Sequence, residues 1–212
     1  MKTDGRSIGR AFLEEIDKYI EKNLNNLTCD DICKVYFDFF KDLKEFKGNS
    51  NGFTGLSEYL LFRFLYHLLG GSFSKTQTTR DLYEFFQPNS NIKIGQATRI
   101  LVNTKRLYPD LAVWKDQELI AIGPIKIYLT KGTREIEEEL KKLDHLQSHF
   151  GNLRALLIMF NRVPNAGKLA KYLEEESNRR QWFSYLFLHG NSQLLTEALG
   201  KGFGLERMIG SR

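Results

Sequence analysis

Residues 108–128, YPDLAVWKDQELIAIGPIKIY, contain two short apolar runs, at 111–114 and 119–122, on either side of Lys115-Asp116-Gln117-Glu118. That spacing and the polar character of the interruption predict a β-hairpin with its loop over 115–118. Asp110 opens the first run and Lys126 follows the second. Antiparallel pairing therefore carries a carboxylate and an ammonium to one end of the sheet. Phosphodiester cleavage uses such a pair: the carboxylate holds a divalent metal, and the lysine places or stabilises an attacking water.

The order Pro109-Asp110, hairpin, Ile125-Lys126 resembles the PD-(D/E)xK nuclease superfamily, which has the restriction-endonuclease-like fold. The family pattern has Asp or Glu two residues before the lysine, where this chain has Pro124. The resemblance implies that Asp110 is a catalytic metal ligand, that Lys126 is the catalytic lysine, and that the cofactor is Mg2+ or Mn2+. It implies an endodeoxyribonuclease acting on DNA phosphodiester bonds. Through Pro124 it equally implies an alternative, a catalytically inactive module of the same fold kept for nucleic-acid or protein binding. Many nucleases of this kind work as dimers, so a homodimer is a further expectation. An unrelated α/β protein with a chance motif would fail to bring Asp110 and Lys126 together.

Residues 56–69, LSEYLLFRFLYHLL, are apolar nearly all round and predict a helix buried within the domain. Glu58 lies in line with Leu61, Phe62 and Leu65, where a carboxylate is costly unless it meets a cation, a metal or good donors. In the resembled superfamily an additional acidic residue often sits on the helix before the sheet, which implies a catalytic and metal-binding role for Glu58. The alternative is an ion pair with Arg63 or a partner for the helix dipole. His67 reads as a satisfied histidine rather than a base. Beyond the hairpin, residues 134–150 predict a helix with Ile136, Leu140, Leu143 and Phe150 on its core face. Glu139 shares that side. Some restriction endonucleases replace the strand carboxylate by a glutamate on this helix, which implies Glu139 as a further metal ligand. An inward-leaning surface glutamate is the other reading.

Residues 153–160, LRALLIMF, form a continuous apolar run and predict a strand buried on both faces. A helix over 167–180, a strand over 182–188 and a helix over 192–199 follow, then glycine-rich 200–204. At the start of the chain, Ser7 caps a helix bearing Ile8, Phe12, Ile16, Tyr19 and Ile20. Thr28 caps a second, with Ile32, Val35, Tyr36, Phe39, Leu43 and Phe46 on its buried face. Residues 47–55 read as a loop whose glycines match neither a P-loop nor a dinucleotide fingerprint. Residues 72–106 are polar, with a first strand of the sheet, or a short helix and strand, expected within 92–102. The expected fold class is α/β, a mixed central β-sheet flanked by helices, restriction-endonuclease-like, with an N-terminal helical extension. A helical region over 1–50 is expected to pack on a core over 51–212, as one compact domain.

The chain has 212 residues, 42% hydrophobic and 13% aromatic, enough to bury a full core. A net charge of +5 suits a polyanionic partner without requiring one. Near the candidate site, Lys105, Arg106, Lys131 and Arg134 are candidates for nucleic-acid backbone contacts whose affinity falls with salt; a solvated mixed-charge surface is the alternative. No run approaches the roughly 18–20 apolar residues of a membrane span, and residues 1–25 lack the apolar centre of a signal peptide. A cytoplasmic protein with no membrane partner is expected. Cys29 and Cys33 are the only cysteines, four apart on a predicted helix with no histidine nearby. Buried, reduced thiols are expected rather than a zinc site.

Overall fold

The structure, a computed structural model, describes residues 5–43, 55–70, 77–79, 82–86, 92–97, 99–129, 132–160 and 166–206. Three helices come first: α1 (Gly5–Asn23), α2 (Cys29–Leu43) and α3 (Leu56–Leu68). Thr28 caps α2 as expected, through a reciprocal pair of bonds. The Asp31 N–H donates to Thr28 Oγ1 at 3.2 Å, and the Thr28 N–H donates to Asp31 Oδ2 at 2.9 Å. Ser7, by contrast, lies inside α1 rather than capping it. Tyr19 is 42% exposed, so Ile20, with Ile16 partly buried beside it, holds the core face of α1. Phe46 and the loop expected over 47–55 lie outside the described residues, apart from Gly55.

The sheet is mixed. β1 (Gln77–Thr79), β2 (Leu82–Phe86), β3 (Ile92–Gln96), β6 (Leu111–Lys115) and β7 (Glu118–Gly123) are antiparallel neighbours. β9 (Arg154–Met159) then runs parallel to β7 and to the short β8 (Ile125–Lys126), and β10 (Phe183–Phe187) runs parallel to β9 at the edge. Between β3 and β6 a separate ribbon, β4 (Ile100–Val102) and β5 (Lys105–Leu107), turns through Asn103 and Thr104. Among the described residues, 72–107 thus hold five strands where one strand, or a short helix and a strand, was expected. α4 (Thr133–Phe150), α5 (Ala166–Arg179) and α6 (Leu195–Phe203) complete the chain.

The hairpin forms as expected, but with a tighter turn. Lys115 pairs with Glu118, and only Asp116 and Gln117, with φ of 50° and 70°, make the loop. Two left-handed residues in a row match the twist of the flanking strands, and the oppositely charged pair extends the ladder by one step. Pro124 behaves differently from the expected bulge or local break in register. It separates β7 from β8, yet the offset to β9 is 33 residues on both sides, Ala121 opposite Arg154 and Ile125 opposite Ile158. The Ile158 N–H donates to the Pro124 carbonyl at 2.9 Å. Proline removes one donor towards β9 without shifting the strand, and the register irregularity falls instead between Val113 and Trp114.

Pleat alternation divides the core into two layers. Leu111, Val113, Leu156 and Ile158 face a cluster shared with α1, α2, α3 and α6. Ala112, Ile122, Ala155 and Leu157 face a second cluster with α4, α5 and the β4–β5 ribbon. Cys29 and Cys33 are buried free thiols, and burial pushes both up to about 12. Among the described residues no helix is long and apolar enough to cross a membrane.

α6 runs on through Gly200 and Gly202, where the helix was expected to end before a glycine-rich stretch, and is capped by Gly204 in the left-handed region at φ 70°. The extra turn seats the Phe203 ring on Gly123. A Cβ built on Gly123 would lie 2.7 Å from Phe203 Cζ and 3.3 Å from Leu111 Cβ. Phe203 is 1% exposed and has no room to withdraw. Gly123→Ala is expected to cost about 1–3 kcal/mol through overpacking, read as a lower urea midpoint at unchanged m-value.

Candidate functional site

The site lies at the end of the sheet where α3 and α4 flank its two faces. Asp110 immediately precedes β6, at a level where β8 has no backbone partner on that side. Its carboxylate fills the gap: the Ile125 N–H donates to Asp110 Oδ2 at 2.6 Å. Lys126, the next residue, reaches Glu139 of α4, its Nζ donating to Oε2 at 3.0 Å. Lys142, three residues further along α4, donates to the same oxygen at 3.3 Å. The Lys126 and Glu139 side chains are 22% and 15% exposed, so the pair is largely withdrawn from water.

Glu58 lies in the first turn of α3, near enough to Asp110 for the charge of Asp110 to act on it. Its alternative partner, Arg63, is committed elsewhere, donating to both oxygens of Asp17 at 2.6 and 2.7 Å. Instead the side chain of Gln96, at the end of β3, meets Glu58: Nε2 lies 3.5 Å from Glu58 Oε2 and 3.5 Å from the Gly55 carbonyl. Sequence reasoning did not single out Gln96. The signal was present, because Ile92, Ile94 and Gln96 share one face of β3 and the third places an amide at an apolar position.

Electrostatics tie these groups together. Burial raises the pKa of Glu58, and the charge of Asp110 raises it further, against the lowering effect of Gln96. Burial likewise raises Asp110; the Ile125 amide and Lys126 pull it back, Glu139 raises it, and Lys142 lowers it. Asp110 thus feels groups from β8 and α4, and its charge reaches α3. Two carboxylates of raised pKa in a partly buried setting are the donor set a hard divalent cation relieves. Among the described residues no three His, Cys, Asp or Glu side chains are grouped to share a metal ion. Glu139 spends Oε2 on two lysines.

A folded-state pKa above the ordinary value means that folding favours the protonated form. Stability from Asp110 and Glu58 is then fully present below their ordinary values of 3.8 and 4.5 and is lost as pH rises through the raised values. Asp17, Asp31 and Asp144 are lowered and act in the opposite sense. The expected result is therefore a difference: in EDTA, Glu58→Gln loses less stability than the parent as pH rises above 4.5, measured by urea unfolding at each pH. Equal slopes for the two proteins would remove Glu58 from the set of strained carboxylates.

On the α4 side a cavity of about 420 Å3 adjoins the site, and Arg106, Asp110, Pro124, Lys126, Glu139 and Lys142 are among the residues that line it. Of the proposed phosphate contacts, Arg106 lines this cavity, whereas Lys105 is exposed on the ribbon and does not line it. Arg134 is exposed and lies 3.4 Å from Glu138. Lys131 lies outside the described residues. Lys142 is the basic residue the sequence reading overlooked. A roomier cleft of about 560 Å3 at the β10 edge, bordered by Arg154, Tyr185 and Lys201, contains none of the predicted residues.

No family model matches this chain, and no curated protein matches it. Among solved structures it is similar to protein VC1899 from Vibrio cholerae, at 18% identity and a TM-score of 0.45 over 92% of this chain and 50% of that one. This chain spans half the length of that protein.

Proposed function

We propose that this chain is a metal-dependent nuclease-like protein of the PD-(D/E)xK superfamily, with a restriction-endonuclease-like fold, acting on DNA phosphodiester bonds. The observation that supports this reading most is the convergence of Asp110, Lys126 and Glu58 from three separate elements. An Mg2+ or Mn2+ ion bound there would supply Lewis-acid charge for the scissile phosphate and a water of lowered pKa. Asp110 spends Oδ2 on the Ile125 amide, which fixes the carboxylate and leaves Oδ1 for a ligand. Glu58 completes a two-carboxylate set of the kind that holds Mg2+ with water and substrate oxygens as remaining ligands. Lys126, steadied by Glu139, presents an ammonium to the phosphate or to the attacking water. Arg106 and Lys142, which line the cavity, hold the neighbouring phosphates without reading sequence.

Pro124 favours a second reading, a catalytically inactive member of the fold kept for binding nucleic acid or protein. It occupies the motif's carboxylate position, and its carbonyl is bound by the Ile158 amide. The deciding experiment is Mg2+- and Mn2+-dependent cleavage of plasmid and single-stranded DNA by the parent, Asp110→Ala and Pro124→Glu. Cleavage by the parent that is lost in Asp110→Ala supports the nuclease. An inert parent beside an active Pro124→Glu supports the binding module.

A further inference from the structure

We infer that the β4–β5 ribbon, with the Tyr108 that follows it, is a binding surface for single-stranded DNA, on which Tyr108 and Leu101 take unpaired bases beside the candidate site. This rests on the reading of that site as one for nucleic acid. It names the form of the substrate and two residues that no motif supplies.

Among the described residues, the large hydrophobic side chains left in solvent are those of Tyr19, Leu101, Tyr108 and Tyr128. One such residue by itself is ordinary. Their placement is not: Tyr108 is two residues before Asp110, Tyr128 is two after Lys126, and Leu101 lies on the ribbon that leads to Tyr108. The ribbon rests on one face. Ile100 and Val102 are 6% and 0% exposed in the α4-side cluster, and Leu107 packs against it. Ile100 pairs with Leu107 and Val102 with Lys105, so the pair between them, Leu101 with Arg106, occupies the other face. There Leu101 is 62% exposed, and Tyr108, just past the end of β5, is 57% exposed. The two-residue turn at Asn103 and Thr104, with φ of 46° and 70°, fixes this arrangement.

The charge of this surface selects its partner. Residues 99–108, RILVNTKRLY, carry three cations, Arg99, Lys105 and Arg106, and no carboxylate. All three are exposed. Apolar and aromatic side chains set among cations fit a strand that offers both phosphates and bare base faces. A duplex fits them less well, because stacking covers the faces of its bases and leaves only their edges in the grooves. The cavity favours the same partner. Arg106, Leu107, Tyr108 and Pro109 form one continuous stretch of its lining that ends at Asp110. Its volume of about 420 Å3 falls in the range of about 300–1,000 Å3 for small-ligand pockets, which admits a single nucleotide and excludes a double helix. A strand that is already unpaired delivers a base there without the cost of unstacking it. The Tyr108 ring stacks on that base, Leu101 packs on a neighbouring one, and Arg106 meets the phosphate.

The test is fluorescence anisotropy in EDTA, where no cleavage intervenes, with labelled oligo(dT) and a duplex of the same length as probes. The proteins are the parent, Tyr108→Ala, Tyr108→Phe, Leu101→Ala and Arg106→Ala. The parent is expected to bind oligo(dT) more tightly than the duplex. Tyr108→Ala is expected to weaken oligo(dT) by about 5- to 150-fold, one stacked base being worth about 1–3 kcal/mol and about 1.4 kcal/mol making a factor of ten. Tyr108→Phe keeps the ring and binds as the parent does, and Leu101→Ala weakens oligo(dT) by less than Tyr108→Ala. Arg106→Ala lowers the log–log salt slope by about 0.7, the share of one phosphate on a single strand, whereas Tyr108→Ala leaves the slope unchanged. The substituted side chains are exposed, so the thermal midpoints stay at the parent's. The inference falls if Tyr108→Ala and Leu101→Ala bind oligo(dT) as the parent does, or weaken the duplex by the same factor. A parent that binds neither probe also overturns it. Binding that depends on Tyr108 in a protein that cuts no DNA upholds this inference and removes the nuclease. Cleavage that is lost in Asp110→Ala, beside oligo(dT) binding indifferent to Tyr108, does the reverse.

Discussion

Asp110→Asn is expected to lower Mg2+-dependent DNA cleavage on the order of 10²–10³-fold, the scale on which one preorganised electrostatic group acts in a reaction. The substitution keeps the size of the side chain and an oxygen able to accept the Ile125 N–H, which in the parent reaches Oδ2 at 2.6 Å. It removes the negative charge, and with it the carboxylate that faces Glu58. The fold should therefore survive, and relief of the burial penalty on Asp110 should leave the thermal midpoint in EDTA unchanged or higher. A loss of cleavage at an undiminished midpoint assigns the effect to chemistry. Cleavage by Asp110→Asn at the parent's rate would mean that any nuclease activity resides elsewhere in the chain.

The largest expected effect on stability is at Asp17. This residue and Arg63 are 3% and 1% exposed in their side chains, and His67 Nε2 lies 3.0 Å from Asp17 Oδ1. Burial raises the Asp17 pKa, but the adjacent His67 ring and the two hydrogen bonds from Arg63 outweigh it and hold the carboxyl below its ordinary 3.8. Removing the carboxylate takes the opposite charge away from a buried guanidinium that lies 3.9 Å over the Tyr66 ring. Breaking one side of such a pair costs about 3–5 kcal/mol, a large part of a total of about 5–15. Asp17→Asn should show this as a lower urea midpoint. The paired change Asp17→Leu with Arg63→Met should recover part of the loss, because no buried charge remains. Since the Asp17 pKa is depressed, its contribution is present above pH 3.8 and is lost as pH falls through the folded value. The site depends on this network, because it ties α1 to the helix that carries Glu58. A double variant less stable than Asp17→Asn would show that the network is not what holds the two helices together.

Legibility followed the range of the interaction. The hairpin, the buried α3 and the continuous β9 could be read because each announces itself within about ten residues through apolar spacing and turn chemistry. Asp110, Lys126 and Glu139 could be placed near one another because strand pairing and one helical face suffice to bring them there. The β4–β5 ribbon was missed although Asn103-Thr104 between Ile100-Leu101-Val102 and Leu107 carried a short hairpin signal, masked by basic residues. The last helix was expected to stop before Gly200, yet it runs to Phe203, because a glycine has no side chain with which to declare a helical face. Arg63 was offered to Glu58, five residues away, while its partner Asp17 is 46 residues distant.

By itself the sequence determined a mixed sheet between helices and a carboxylate and lysine at one end of it, since hydrophobic periodicity and turn propensity act along neighbouring residues. Only the tertiary structure decided which buried polar group answers which: Arg63 with Asp17, Lys126 with Glu139, Gln96 with Glu58, and Pro124 in unbroken register with β9. The reason is that a buried charge or amide must find a partner, and the least costly partner is set by distance in space, which the order of residues along the chain does not state.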